Sequence, residues 1–453
     1  MPSNLVSGDF PLSNAVAAAL VGAIVAGLYF VTRVRQQKAR YALGVGLGTV
    51  LAFGLIAAAK VVLGPAVAKQ GQVIALGIFF MVVAWRLLFG NWDSRTKATV
   101  LGTFVFWIAV HILSKETPDD RIAHLIAISV AAIPAVVWTW LFLPYHRERL
   151  SIVLCMFFAG MLSTIPILFY DALVRFRVEL HFFLFRIVPE SFSSSAQMFV
   201  VSHWPGISVL QSSLLAMFVS FLLVGVIEEG SKLWVLWRTG KRNSASIDDV
   251  MQMAVIVAIG FAFAENVTNS GYFLSFVREY LLNPETRDIV AFIGNVAGRS
   301  VLTSMVHIVS TGIMGYYLGV ALYAGPILQE QQSRGARLWI IEKLHDIFGI
   351  PKRSLFRRVK ILTGFAIAVG LHALSNFLVS LPDALPGNPR TLGDLLHSGP
   401  HSPFHFVALL LFPTLVYVVG GFGLLTWLFQ RKENMKERGH LVEEEAFVAE
   451  EQA

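Results

Sequence analysis

Stretches of about twenty apolar residues recur along the chain, and they constrain its fold more than any other feature. Each is long enough to cross a bilayer as a helix, and we predict about eleven such helices. Only 14% of the 453 residues are charged, whereas soluble domains carry about 25%. We therefore predict an all-α fold, a polytopic transmembrane helical bundle. The predicted spans lie near residues 11–32, 41–66, 72–90, 97–114, 123–144, 151–171, 207–237, 249–273, 299–325, 361–381 and 404–429.

The positive charges predict how these helices are oriented. If the N-terminus lies outside, most of the 36 Lys and Arg residues fall in the segments that lie inside, as the positive-inside rule requires. This predicts an N-out, C-in topology. The same loops account for the net charge of +7, so we expect a lipid bilayer and no nucleic acid as partner. A single cysteine, Cys155, excludes intrachain disulfides and cysteine-based metal clusters.

The polar content of the predicted helices divides the chain near residue 200. Residues 1–200 hold six helices with few polar groups, and their role is unknown; residues 201–430 hold five with many. Within the second part, residues 326–360 mix Trp, Ile and Phe with Lys and Arg, which predicts a cytoplasmic interfacial segment beside anionic lipid. The aromatic and basic stretch within 172–206 can form an amphipathic helix at the outer interface. We predict that 431–453 is a charged, disordered cytoplasmic tail.

Four consecutive predicted helices of the second part each carry ionisable or amide side chains. An ionisable group at the centre of a spanning helix costs about 2.5–3.5 kcal/mol on insertion scales, so such groups usually face a polar interior and serve a function. Lys232 follows Glu228 by four residues and Glu229 by three, so it can reach either carboxylate. Depths estimated from the helical rise let the side chains converge in one cavity. The candidate residues are Glu228, Glu229, Lys232, Glu265, His307, His372 and Asn376.

Carboxylates and histidines in a wet intramembrane pocket suit hydrolysis of an amide. A glutamate can take a proton from water, and a histidine with an asparagine amide can stabilise the developing oxyanion. The chain has neither the G-x-S-x-G motif nor the H-E-x-x-H motif. Histidine nitrogens and carboxylate oxygens also bind Zn²⁺, so the sequence leaves metal-bound and metal-free water open. The candidate ligands are Glu228, Glu265, His307 and His372.

Four motifs in order carry a resemblance to the PrsW family of intramembrane proteases. "EEGSK" at 228–232 matches E-E-x-x-K, "FAFAEN" at 261–266 matches F-A-x-x-E-N, His307 matches an isolated histidine, and "HALSN" at 372–376 matches H-x-x-x-N. The match covers about residues 205–430. The related CAAX prenyl endopeptidases and bacteriocin-immunity proteases have E-E-x-x-x-R and F-x-x-x-H, and this chain departs from both at Lys232 and Glu265. Prenyl-protein processing is therefore not favoured.

The resemblance implies a role for each residue. Glu228 is the expected water-activating base, and Glu229, paired with Lys232, orients or assists it. Glu265 is a second acid/base or a ligand, and His307 is a proton-transfer partner or a ligand. His372 and Asn376 are similar to the relatives' oxyanion-binding pair.

The resemblance also implies the reaction and its setting. We expect an intramembrane peptidase of glutamic or metal-dependent type in a prokaryotic plasma membrane, which cleaves membrane proteins such as anti-sigma factors. Two alternatives remain: a non-catalytic relative that binds membrane proteins, and a proton-coupled transporter, since buried Glu, His and Lys also serve proton relays. Transporters often show repeated halves, and the sequence shows no internal repeat.

Overall fold

The chain divides into two compact units, Met1–Leu113 and Ser114–Ala453. In the first unit, residues 96–103 are helical; the predicted spans at 11–32, 41–66 and 72–90 lie outside the described residues. The predicted boundary near residue 200 stays a prediction. The computed structural model describes residues 96–103, 106, 118–143, 150–175, 177, 180–182, 185–187, 190–204, 206–240, 244, 246–268, 273, 277, 296, 298–335 and 338–437.

The second unit begins with four helices and one short hairpin. They are α1 (Pro118–Phe142), α2 (Leu150–Leu162), α3 (Ile165–Arg175), β1 (Leu180–Phe182), β2 (Phe185–Ile187) and α4 (Phe192–His203).

The helices that carry the predicted site follow. They are α5 (Val209–Val235, continued by a π turn at Leu236–Gly240), α6 (Ile247–Thr268) and α7 (Ser304–Leu322, preceded by a π turn at Arg299–Thr303). Next come α8 (Ala324–Ser333), α9 (Trp339–Phe348) and α10 (Lys352–Ala384). The chain ends with α11 (Leu392–Leu395), a 3₁₀ turn at Pro403–Phe406, α12 (Leu411–Thr414), a π turn at Leu415–Gly420 and α13 (Gly421–Glu437).

Six helices of the described residues are long and apolar enough to cross a membrane. Each coincides with one of the spans predicted from the sequence, so the polytopic helical bundle is confirmed. The predicted count of about eleven and the N-out, C-in orientation stay predictions. The six are Leu150–Arg175, Val209–Arg238, Ile247–Thr268, Arg299–Leu322, Lys352–Ala384 and Leu411–Gln430.

Two segments differ from the sequence prediction. The aromatic stretch after α3 forms the antiparallel pair β1–β2, with Leu180 opposite Ile187, and not an amphipathic helix. Alternating apolar and polar residues in "LHF" and "FRI" suit a strand, whose side chains point to opposite faces in turn. Helix α13 continues to Glu437, into the segment predicted to be a disordered tail; the rest of that tail lies outside the described residues.

Helices α6 and α7 form the centre of the bundle. Within their spanning windows, 94% and 83% of the residues are buried, against 11% for α5 and 33% for α10. Small residues let the backbones touch: a Cβ added at Gly260 would lie 2.1 Å from the Phe157 carbonyl oxygen, and one at Gly160 would lie 2.2 Å from that of Val257. This reciprocal crossing of α2 and α6 is the close approach that small residues permit in membranes.

Helix α5 lies at the periphery with two different ends. It begins with a capping box in which Ser208 and Gln211 satisfy each other's backbone N–H groups. Its outward side chains include Val226 and Trp234, which are exposed and apolar, as expected of a surface that faces lipid. Near its other end, one face carries Glu228, Glu229 and Lys232, all buried. The fold therefore places three ionisable side chains against the central helices.

Candidate active site

Four helices bring the predicted ionisable residues together inside the bundle. Helix α5 supplies Glu228, Glu229 and Lys232, α6 supplies Glu265, α7 supplies His307 and α10 supplies His372. Except for Glu265, whose side chain is 16% exposed, all are buried. A buried charge is costly unless it is paired and hydrogen-bonded, so the contacts of each group indicate what it can do.

Glu229 is held on both carboxylate oxygens. Its Oε1 accepts hydrogen bonds from Lys232 Nζ at 2.7 Å and from His372 Nδ1 at 2.9 Å. Its Oε2 accepts from the Thr311 hydroxyl at 2.9 Å. Three donors around one carboxylate stabilise its ionised form. Glu229 is therefore a fixed anchor that joins α5, α7 and α10.

Lys232 links Glu229 to His307. Its ammonium has three donors and no acceptor, so at 3.0 Å it donates to Nδ1 of His307. The proton of a neutral His307 ring then lies on Nε2, which donates to Glu265 Oε2 at 2.9 Å. The ammonium also lies 3.9 Å from the centre of the Phe261 ring, a favourable cation–π contact. A continuous chain of hydrogen bonds thus runs from Glu229 to Glu265.

Glu228 differs from its neighbour because one of its oxygens is left open. Its Oε2 is buried and has no hydrogen-bond partner among the described residues. His372 Nε2 lies 3.5 Å and Lys232 Nζ 4.0 Å from this oxygen. Buried polar atoms without a partner are rare and call for an explanation. An open carboxylate oxygen beside a histidine nitrogen is a place where a water or an ion can bind.

The remaining predicted residue, Asn376, stands apart from this network. It lies one turn beyond His372 on α10 and is half-buried, and within the described chain no hydrogen bond joins it to the other six.

Two further contact residues, Thr311 and Phe261, were not among the predicted site residues. Thr311 follows His307 by four residues, so the helical repeat places both on one face of α7, but a threonine in a span is too common to stand out. Phe261 is the first letter of "FAFAEN", and its place beside Lys232 becomes visible only when α5 and α6 are packed together. The roles of Thr311 and Phe261 in the site therefore follow from tertiary contacts and not from a sequence motif.

The donor set also suits a metal ion. Glu228, His307 and His372 each offer one ligand atom, and these atoms lie within 4.8 Å of one another. Two imidazoles and a carboxylate form the ligand set of many zinc hydrolases. Glu229 holds the other ring nitrogen of His372, as a carboxylate commonly does behind a metal-binding histidine. Together with the open Glu228 Oε2, this arrangement fits a Zn²⁺ site.

Comparison with known families identifies the region that contains this cluster. The model of the PrsW family intramembrane metalloprotease matches residues 148–416. That match covers more than half of the chain. The protein belongs to the PrsW family. Searches of curated proteins and of solved structures give no significant match.

The PrsW region begins at α2 and includes every residue of the cluster. The match of the chain to the PrsW family confirms the resemblance that the four motifs carry. Together with the six apolar helices, it identifies an integral membrane protein of the intramembrane protease class. The residues before 148 lie outside the family match.

Proposed function

We propose that this PrsW protein hydrolyses peptide bonds of membrane-protein substrates with a water that Glu228 activates. The observation that carries the proposal is the contrast between two adjacent carboxylates. Glu229 accepts three hydrogen bonds, whereas Glu228 Oε2 accepts none. A general base needs an available lone pair within reach of its proton donor, and Glu228 has one.

The other residues have supporting roles in this proposal. Glu229, paired with Lys232, holds the imidazole of His372 with Nε2 turned toward Glu228. His372 and the nearby Asn376 amide then stabilise the oxyanion that develops on the scissile carbonyl. Glu228 passes the proton that it takes from water on to the leaving amine. Glu265, joined to His307 through Nε2–H, is the second acid/base of the site, and its partly exposed side chain can exchange protons with water.

A zinc ion would be held by Glu228, His307 and His372. When bound, Zn²⁺ acidifies water and polarises a carbonyl. The contacts of Glu229 to His372 and of Glu265 to His307 would then orient the ligands. Lys232 would remain the counter-charge of Glu229, but it would give up its hydrogen bond to His307 Nδ1, because that lone pair would then face the ion.

A cleavage assay tests the proposal. A single-span membrane protein that the wild-type protein cleaves is co-expressed with the variants Glu228→Gln and Glu342→Gln. Loss of a general base lowers the rate by about 10²–10⁴-fold, so the first variant should show no visible product. Glu342 lies exposed on α9, and its variant should cleave like the wild type. Full cleavage by Glu228→Gln contradicts the proposal.

Metal analysis of the purified protein separates the two ways of activating water. With a zinc site, we expect bound zinc in the wild type, its loss in His372→Ala, and inactivation by chelation that zinc reverses. Full activity in metal-free protein assigns the activation to Glu228 alone. Glu342→Gln again serves as the control because it keeps the candidate ligands intact.

The membrane location and the resemblance favour substrates such as anti-sigma factors in a prokaryotic plasma membrane. A transporter and a non-catalytic binding protein are the competing functions. Family membership favours the peptidase, and so does the open carboxylate oxygen, which a purely structural network would be expected to satisfy.

A further inference from the structure

A second polar site lies away from the catalytic cluster, at the membrane surface where α7 ends and α10 begins. A cavity of about 220 Å³ opens there between the last turn of α7 and the first turns of α10. Its lining includes Ala321 and Leu322 on one side and Arg353, Ser354 and Arg357 on the other. The apolar segments long enough to span end at Leu322 and begin at Lys352, and a bilayer matched to them would place the cavity at the level of its headgroups.

The chemistry of the lining favours an anion. Arg353 and Arg357 are four residues apart, so both reach the same face of α10. Arg357 lies 4.7 Å from the centre of the Trp237 ring, and within the described residues it has no carboxylate partner. Arginine is the preferred residue for phosphate because its planar fork of donors matches the oxygens. The volume exceeds the roughly 30 Å³ that one water occupies, and leaves room for a phosphate group.

The neighbouring helix α9 carries an exposed apolar surface that suits contact with lipid. Trp339, Ile340, Ile347 and Phe348 are 55–69% exposed, an apolar set that water would not favour. The helix is amphipathic, because its apolar residues, including the buried Ile341, share one side while Glu342, His345 and Asp346 share the other. Lys343 lies over the Trp339 ring at 4.9 Å, as basic and aromatic side chains do where a helix lies in the membrane interface. A phosphate in the cavity would therefore have its acyl chains beside an apolar surface.

We propose that this cavity binds the phosphate of an anionic phospholipid, with its acyl chains against α9 and the outer faces of the spans. The bound lipid fastens α10, which carries His372, to the end of α7, which carries His307. The site is separate from the catalytic cluster and does not depend on the proposed reaction.

Lipid binding is tested with the purified full-length chain by native mass spectrometry. Phosphatidylglycerol is titrated against phosphatidylcholine for the wild type, for Arg353→Gln combined with Arg357→Gln, and for Arg358→Gln. Arg358 is exposed on α10 and does not line the cavity, so it controls for general surface charge. One interfacial basic residue changes the affinity for an anionic membrane about fivefold, so the double variant should bind phosphatidylglycerol about thirtyfold or more weakly. Arg358→Gln should bind it within about fivefold of the wild type.

A cavity-filling variant distinguishes lipid binding in the cavity from attraction by surface charge alone. Ser354→Phe keeps both arginines and occupies the volume, so it should also lose phosphatidylglycerol. Equal loss in all variants, including Arg358→Gln, would overturn the proposal in favour of diffuse attraction. So would equal binding of the two lipids by the wild type. Millimolar inorganic phosphate should not displace the lipid, and displacement would assign the site to a soluble anion.

Discussion

Two adjacent glutamates, Glu228 and Glu229, differ in how their carboxylate oxygens are hydrogen-bonded. The sequence showed that Lys232 could reach both Glu228 and Glu229, and it could not show which would be its partner. The structure pairs Lys232 with Glu229 at 2.7 Å and leaves it 4.0 Å from Glu228. Adjacent helical residues point about 100° apart, so one carboxylate turns to the donors of α7 and α10 while the other keeps an open oxygen.

Thr311 gives a prediction at the same scale. Thr311→Val removes the hydroxyl that donates to Glu229 Oε2 and keeps the volume of the side chain. A hydrogen bond to a charged group is worth about 1.5–3 kcal/mol, so the free energy of unfolding should fall by about that amount, and cleavage should slow. Thr311→Ser keeps the donor and serves as the control. Equal unfolding midpoints and cleavage rates for the two variants would show that the hydroxyl does not position Glu229.

At the scale of elements, the sequence predicted where the spanning helices lie better than how they pack. Length and apolar content located all six described spans, because a chain segment in lipid must make its backbone hydrogen bonds internally, and a helix does so. The hairpin β1–β2 and the central position of α6 were not predicted. Both depend on contacts between distant segments, which a single apolar run does not encode.

The crossing of α2 and α6 predicts a strong effect of a small substitution. Gly260→Ala would force its Cβ against the Phe157 carbonyl oxygen, and overpacking of this kind costs about 1–3 kcal/mol. Because Gly260 precedes Phe261, which contacts Lys232, cleavage should fall together with the thermal unfolding temperature.

Gly370→Ala on α10 is the matched control for this crossing. An added Cβ there has no atom within 4 Å, so the change should leave stability equal or higher, as expected from the helix propensity of alanine. A similar thermal shift for both glycine variants would mean that the two backbones do not touch as described.

At the scale of the whole molecule, the contacts that define the candidate site all lie within the unit Ser114–Ala453. The sequence predicts four spans before residue 114, an even number, so their removal keeps the predicted orientation of the rest. We expect a chain without residues 1–113 to keep cleaving a substrate of the full chain. Loss of cleavage with an unchanged unfolding temperature would instead assign substrate recruitment to the first unit.

The most direct measurement compares unfolding and cleavage for Glu228→Gln and Glu229→Gln. Glu228→Gln should abolish cleavage without loss of thermal stability, because it neutralises a buried carboxylate oxygen that has no donor. Glu229→Gln leaves Lys232 buried without its counter-charge, so it should cost about 3–5 kcal/mol of stability as well as activity. If Glu228→Gln destabilises the protein as much as Glu229→Gln, or cleaves like the wild type, the assignment of Glu228 as the water-activating base is wrong.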